Sequence, residues 1–200
     1  LTEISYSCFA NCDGMLTAVI PANIKTVDSY AFSNCDNLAQ LILPDTPILL
    51  DTYSFAYCSG LKEVTIPVDM TWSGYPFCET ANVETIHYTK GATGVMTDRE
   101  FYSSQAPYYG NTLESYSRVS IQKIDFAEGI THIANYLFGN GTTSMTSVSL
   151  PSTLQTIGAY AFQNCTALPA ISFPEGLTSI GNGAFQGCSS LTALPALPST

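Results

Sequence analysis

Charge is scarce in this sequence. Only 11% of the 200 residues are Asp, Glu, Lys or Arg, and Lys and Arg together number six. Set against 16 Asp and Glu, they leave a formal net charge of −10, so no basic footprint exists for phosphate backbones or anionic headgroups. Nucleic acid and an anionic membrane surface are therefore not expected as partners. Apolar runs long enough to span a bilayer, about 18 residues or more, are also missing, which excludes direct insertion as a transmembrane helix. Leu1 is followed by neither a basic n-region nor an apolar h-region, so any export signal is expected to have been removed or to lie outside this sequence. Histidine occurs twice, as His87 and His132. No catalytic triad or dyad can be assembled from them, and no P-loop, dinucleotide fingerprint or EF-hand loop is present. Neither an enzyme nor a cofactor or metal requirement is expected. What the chain has instead is 46% hydrophobic residues and 44 Ser and Thr, enough apolar material for a packed domain whose polar surface is made of hydroxyls.

The order of those residues carries the architecture, because the chain repeats itself. Phe9, Phe32 and Phe55 lie 23 apart, as do Cys12, Cys35 and Cys58, and the pair returns as Phe162 with Cys165 and Phe185 with Cys188. Counting on the phenylalanine gives about eight rungs, at Phe9, Phe32, Phe55, Phe77, Phe101, Phe138, Phe162 and Phe185. The sharp copies end in a short strand stopped by proline: Leu38, Leu41, Leu43, Pro44 in one and Leu61, Val64, Ile66, Pro67 in the next. Apolar positions two apart share one side of a strand, so the residues between them face the other way. A rung of this length cannot bury its apolar side alone, whereas stacked rungs turn the repeated positions into continuous ladders. About fourteen extra residues separate Phe101 from the strand at Ile121, Ile124 and Phe126, which defines an insertion at about 101–120 on one face of the stack.

The recurring A-F-x-x-C-x-x-L-x-x-V-x-I-P pattern, seen from Ala31-Phe32 to Pro44 and from Ala161-Phe162 to Pro174, resembles the BspA-type leucine-rich repeat. The resemblance covers nearly the whole chain apart from the insertion. It implies an α/β solenoid, a right-handed leucine-rich-repeat stack with short parallel strands on one face and turns or short helices on the other. Residues 1–200 are expected to form one such domain. It also implies a large, exported, repetitive bacterial surface protein, some of whose relatives act as adhesins toward host matrix proteins or other cells. The function expected on that basis is a cell-surface binding or adhesion module whose ligand is a protein or glycan on a host or neighbouring cell. A non-catalytic spacer that projects another domain from the cell surface is the alternative.

Seven cysteines in a secreted chain suggest disulfides, yet six of them occupy or nearly occupy one repeat position. Buried free cysteine behaves as a small hydrophobe, so an interior column accounts for them without chemistry. A disulfide between neighbouring rungs stays open as the alternative, because rung spacing falls within the permitted Cα separation. Zinc has no C-x-x-C pair or His and Cys cluster to hold it.

Candidate binding residues come from the strand face opposite the core. Its first outward column is Thr17, Gln40, Glu63, Thr85, Lys123, Ser147 and Ala170, and its second is Val19, Ile42, Thr65, His87, Asp125, Ser149 and Ser172. Glu63, Thr65, Thr85, His87, Lys123 and Asp125 form the charged and hydroxyl-bearing centre of a shallow protein-binding face. The insertion adds Tyr102, Tyr108, Tyr109 and Tyr116 among Ser, Gly and Asn, the composition of an adaptable recognition loop; rings packed back on the solenoid as a lid are the other reading. At the ends, Pro195 falls within the last expected strand and should blunt it. Leu1 already occupies the position of Ile24, so the chain is expected to start inside a rung of a longer protein. Weak self-association through an N-terminal edge of Leu1, Ile4 and Phe9 is therefore anticipated.

Overall fold

The computed structural model describes residues 1–96, 120–139 and 141–198. Its strands are short. They are β1 (Glu3–Ile4), β2 (Thr17–Val19), β3 (Thr26–Val27), β4 (Gln40–Ile42), β5 (Leu49–Leu50), β6 (Glu63–Pro67) and β7 (Thr71–Trp72). After them come β8 (Thr85–Thr89), β9 (Lys123–Phe126), β10 (His132–Ile133), β11 (Ser147–Ser149), β12 (Thr156–Ile157) and β13 (Ser179–Ile180). All pairings are parallel. One sheet runs β11-β9-β8-β6-β4-β2, a second β1-β3-β5-β7 and a third β10-β12-β13. The chain therefore winds as a parallel-strand solenoid of about seven described turns, passing through the six-stranded sheet as far as β11, then a short ladder, then a turn edge. Phe101, on which one of the eight rungs is counted, lies outside the described residues, while the strand that follows it is β9.

The register follows the repeat. Thr17, Gln40, Glu63, Thr85, Lys123 and Ser147 are successive partners, and so are Val19, Ile42, Thr65, His87, Asp125 and Ser149. The residues between them, Ala18, Leu41, Val64, Ile86 and Ile124, are buried, as a period of two requires. On the turn edge the phenylalanines stack, with centroids 5.2 Å apart for Phe9 and Phe32, 4.9 Å for Phe32 and Phe55, and 5.8 Å for Phe55 and Phe77.

One part of the turn differs from the sequence expectation. Opposite the six-stranded sheet there is a second parallel ladder as well as turns, and among the described residues no helix is present. The turn edge instead bends through left-handed residues. Ser7, Tyr30, Tyr53, Tyr136 and Tyr160 have φ between 55° and 60°, a costly conformation for a bulky side chain. Ring contacts help to offset it: Tyr30 and Tyr53 lie tilted with centroids 5.2 Å apart, and Tyr136 and Tyr160 stack at 5.0 Å. In the last turn the slot is Gly183 (φ 62°), where a Cβ would come within 2.4 Å of the Tyr160 ring.

The cysteine column is interior and all seven thiols are free, with Cys35, Cys58, Cys165 and Cys188 buried. Three of these buried thiols donate to a phenylalanine carbonyl of the preceding turn, Cys35 to Phe9 O at 3.2 Å, Cys58 to Phe32 O at 3.2 Å and Cys188 to Phe162 O at 3.0 Å. In the Phe77 turn, where the column lacks cysteine, Thr80 fills the slot and donates to Phe55 O at 2.8 Å. Cys78, nearly in place by sequence, lies outside the column. Burial pushes the Cys35 thiol up and the Cys58 thiol to about 12, and a protonated thiol is a poor nucleophile. Alkylation of native protein at pH 8 should therefore label exposed Cys8 first and leave Cys35 and Cys58 unmodified until the chain is unfolded, as peptide mapping by mass spectrometry would show.

The ladder stops earlier than Pro195 suggested. In successive turns Ala39 N donates to Leu16 O, Lys62 N to Ala39 O, Glu84 N to Lys62 O, Gln122 N to Glu84 O and Thr146 N to Gln122 O. The next residue in this column is Pro169, which has no N–H to give. Residues 168–174 form no strand, and neither do residues 191–198. Pro169→Ala should extend the six-stranded sheet by one strand at residues 170–172, read as new slow-exchanging amides there. The stability gain should be small, because a hydrogen bond of about 0.5–1.5 kcal/mol is offset by about 0.4–1 kcal/mol lost with the proline's restricted unfolded chain.

Candidate functional site

The outward face of the six-stranded sheet collects side chains that have no part in the core. Three neighbouring strands bring all six candidates on this face together: Glu63 and Thr65 on β6, Thr85 and His87 on β8, Lys123 and Asp125 on β9. His87 is the hub. Its Nε2 lies 3.2 Å from Glu63 Oε1 and its Nδ1 3.0 Å from Asp125 Oδ2. Lys123 Nζ reaches the same Asp125 oxygen at 2.8 Å. An imidazolium donates from both nitrogens at once, so it can tie the two carboxylates together across three strands.

The energetic weight of this network is small. Its side chains are about a quarter to a half exposed, and ion pairs in such surroundings contribute about 0–1 kcal/mol each. Its physical effect is positional: two carboxylates, an imidazole and an ammonium group are held in one geometry on an otherwise hydroxyl-rich sheet. Composition grades along the face, from exposed Val19 at the β2 edge through the charged centre to Ser147 and Ser149 on β11.

The sequence columns did not reveal a second pair at the rim. Lys62 Nζ lies 2.9 Å from Glu84 Oε1; opposite charges one turn apart were the signal that could have found it. The insertion joins the stack between two anchored points. Before it, Val95 makes a parallel bridge to His132. After it, the Ser120 hydroxyl lies 2.9 Å from Ala81 O and 2.7 Å from Val83 O. Tyr102, Tyr108, Tyr109 and Tyr116 lie outside the described residues. Among the described residues no group of three or more His, Cys, Asp or Glu side chains is arranged to hold a metal ion. No described helix is long and apolar enough to cross a membrane.

Comparison with known proteins points one way. A family model described as BspA type leucine rich repeat region matches six copies over residues 1–106 and 113–199. No curated protein matches. Among solved structures, a leucine-rich repeat protein from Eubacterium ventriosum is 27% identical, with a TM-score of 0.59, over 92% of this chain and 45% of its own. A leucine rich cell surface protein from Faecalibacterium prausnitzii is 22% identical (TM-score 0.44) over 96% of this chain and 42% of its own. A leucine rich repeat protein from T. pallidum is 22% identical (TM-score 0.46) over 92% of this chain and 71% of its own. The chain thus spans less than half the length of the first two.

Proposed function

Since this chain belongs to the BspA-type leucine-rich repeat family, we propose that it is an exported cell-surface module that binds a protein or glycan through the outward face of its six-stranded sheet. The observation that carries this reading is the fixed cluster of Glu63, His87, Asp125 and Lys123 on a face relieved of packing. A merely solvated sheet face has no need to hold four ionisable groups in contact across three strands. Shallow, polar and charged surfaces recognise partners by electrostatic complementarity and by fixing orientation. With a net charge of −10, the chain favours partners whose contact surface is cationic, and capture should weaken as salt rises.

The test is an array of purified host matrix proteins and glycans probed with the intact chain. Saturable, salt-sensitive capture of at least one ligand is the expected result. Absence of capture across the array would replace this reading with that of a spacer.

A further inference from the structure

Two thiols of the cysteine column are placed to react with each other. Cys165 and Cys188 lie one turn apart, and their turns are held in register: Phe162 N donates to Ala184 O and Asn164 N to Gln186 O, each at 2.8 Å. The Phe162 and Phe185 rings stack beside them at 5.2 Å and 3°. Equivalent positions on adjacent turns are therefore about 4.8 Å apart, inside the Cα separation of about 4.4–6.8 Å that a disulfide bridges. Register alone does not single out this pair, because Cys35 and Cys58 also stand one turn apart. The direction of the thiols does. Cys35 and Cys58 each donate to a phenylalanine carbonyl of the preceding turn, Phe9 O and Phe32 O, at 3.2 Å. Cys165 instead meets the Cys188 thiol in a sulfur–sulfur hydrogen bond. The backbone differs too. Gly187 precedes Cys188 where the earlier turns carry Asn34 and Tyr57, and glycine gives the chain freedom to bring the two Cβ atoms to the ~3.8 Å that a disulfide needs.

We propose that Cys165 and Cys188 are an oxidisable pair, which a low-molecular-weight disulfide such as oxidised glutathione converts to a disulfide that fastens the two turns together. The chemistry begins at Cys188. In the neutral pair its S–H donates to Phe162 O at 3.0 Å; once it ionises, the Cys165 S–H donates to the thiolate. That bond holds Cys188 below the ordinary thiol range and, with burial, holds Cys165 above it, so Cys188 is the nucleophile. Its thiolate attacks one sulfur of oxidised glutathione and expels one glutathione thiolate, leaving a mixed disulfide. The expelled thiolate takes up the Cys165 proton, and the Cys165 sulfur then attacks Cys188 Sγ and expels the second glutathione. Two protein thiols have lost two electrons and two protons, and one small disulfide has gained them to become two thiols. An oxidising extracellular setting supplies oxidants of this class.

The test is refolding of the intact, reduced chain in glutathione buffers of rising oxidised-to-reduced ratio, with the links read by peptide mapping. A link between Cys165 and Cys188 should appear at a ratio about tenfold or more below that needed for any link between Cys35 and Cys58, and added reductant should remove it. The linked chain should melt about 5 °C or more above the reduced one. Cys165→Ala and Cys188→Ala should each abolish the link and the rise in melting temperature, whereas Cys58→Ala should leave both. The proposal is overturned if Cys165 and Cys188 stay free at the most oxidising ratio, or if Cys35 and Cys58 link as readily. It is also overturned if the linked and reduced chains melt together; all three readings come from the parent chain and hold even where a variant fails to fold.

Discussion

Phe55→Ala lowers stability by about 3–5 kcal/mol, read as a shift in the urea unfolding midpoint. Phe55 is fully buried. Its ring lies nearly parallel to Phe32, at 4.9 Å and 4°, and stacks on Phe77 at 5.8 Å and 18°. Truncation removes both contacts at once, and the neighbouring rings cannot close the gap because each is fixed by its own turn. Coupling in a solenoid passes only between adjacent turns, so a cavity here weakens the joint on each side. Phe9, more than a third exposed and stacked on Phe32 alone, gives the internal comparison: Phe9→Ala should cost clearly less. Equal losses at the two positions would mean that the stack does not carry the stability assigned to it.

Asp125→Ala produces the second large effect, on binding rather than on stability. Its carboxylate accepts from His87 at 3.0 Å and from Lys123 at 2.8 Å, so its loss releases both side chains from their shared position. Capture of the ligand found by the array should fall tenfold or more, a loss of about 1.4 kcal/mol or greater. The melting temperature should hardly move, because these pairs are solvent-screened. Stability lost together with capture would make the network a structural brace.

Much of this fold was legible because the repeat is strict where packing is strict. The 23-residue period placed both outward columns in the register that β2, β4, β6, β8, β9 and β11 adopt, and it placed cysteine in the interior. Ladders of two residues such as Thr26–Val27 escaped, since two residues show no alternation and the segment could equally have been turn or helix. Thr80 escaped because a hydroxyl can do the work of a thiol toward Phe55 O, which a search for cysteine does not see. Pro195 drew attention as a strand breaker while Pro169 did not. What matters is whether a proline sits where an amide must donate, and that is known only once the carbonyl it would meet, on Thr146, has been placed. At the site, the columns assembled the six residues, but the diagonal contact between His87 and Glu63 depends on side-chain direction, which periodicity does not contain.

The central claim is that recognition takes place on the outward face of the six-stranded sheet. Hydrogen–deuterium exchange of the chain with and without its captured ligand tests it most directly. The account predicts slowed exchange in peptides covering 63–67, 85–89 and 123–126, with no change in those covering 26–27 and 49–50 on the second ladder. Protection confined to the second ladder or to the turn edge, with 85–89 unchanged, would contradict it.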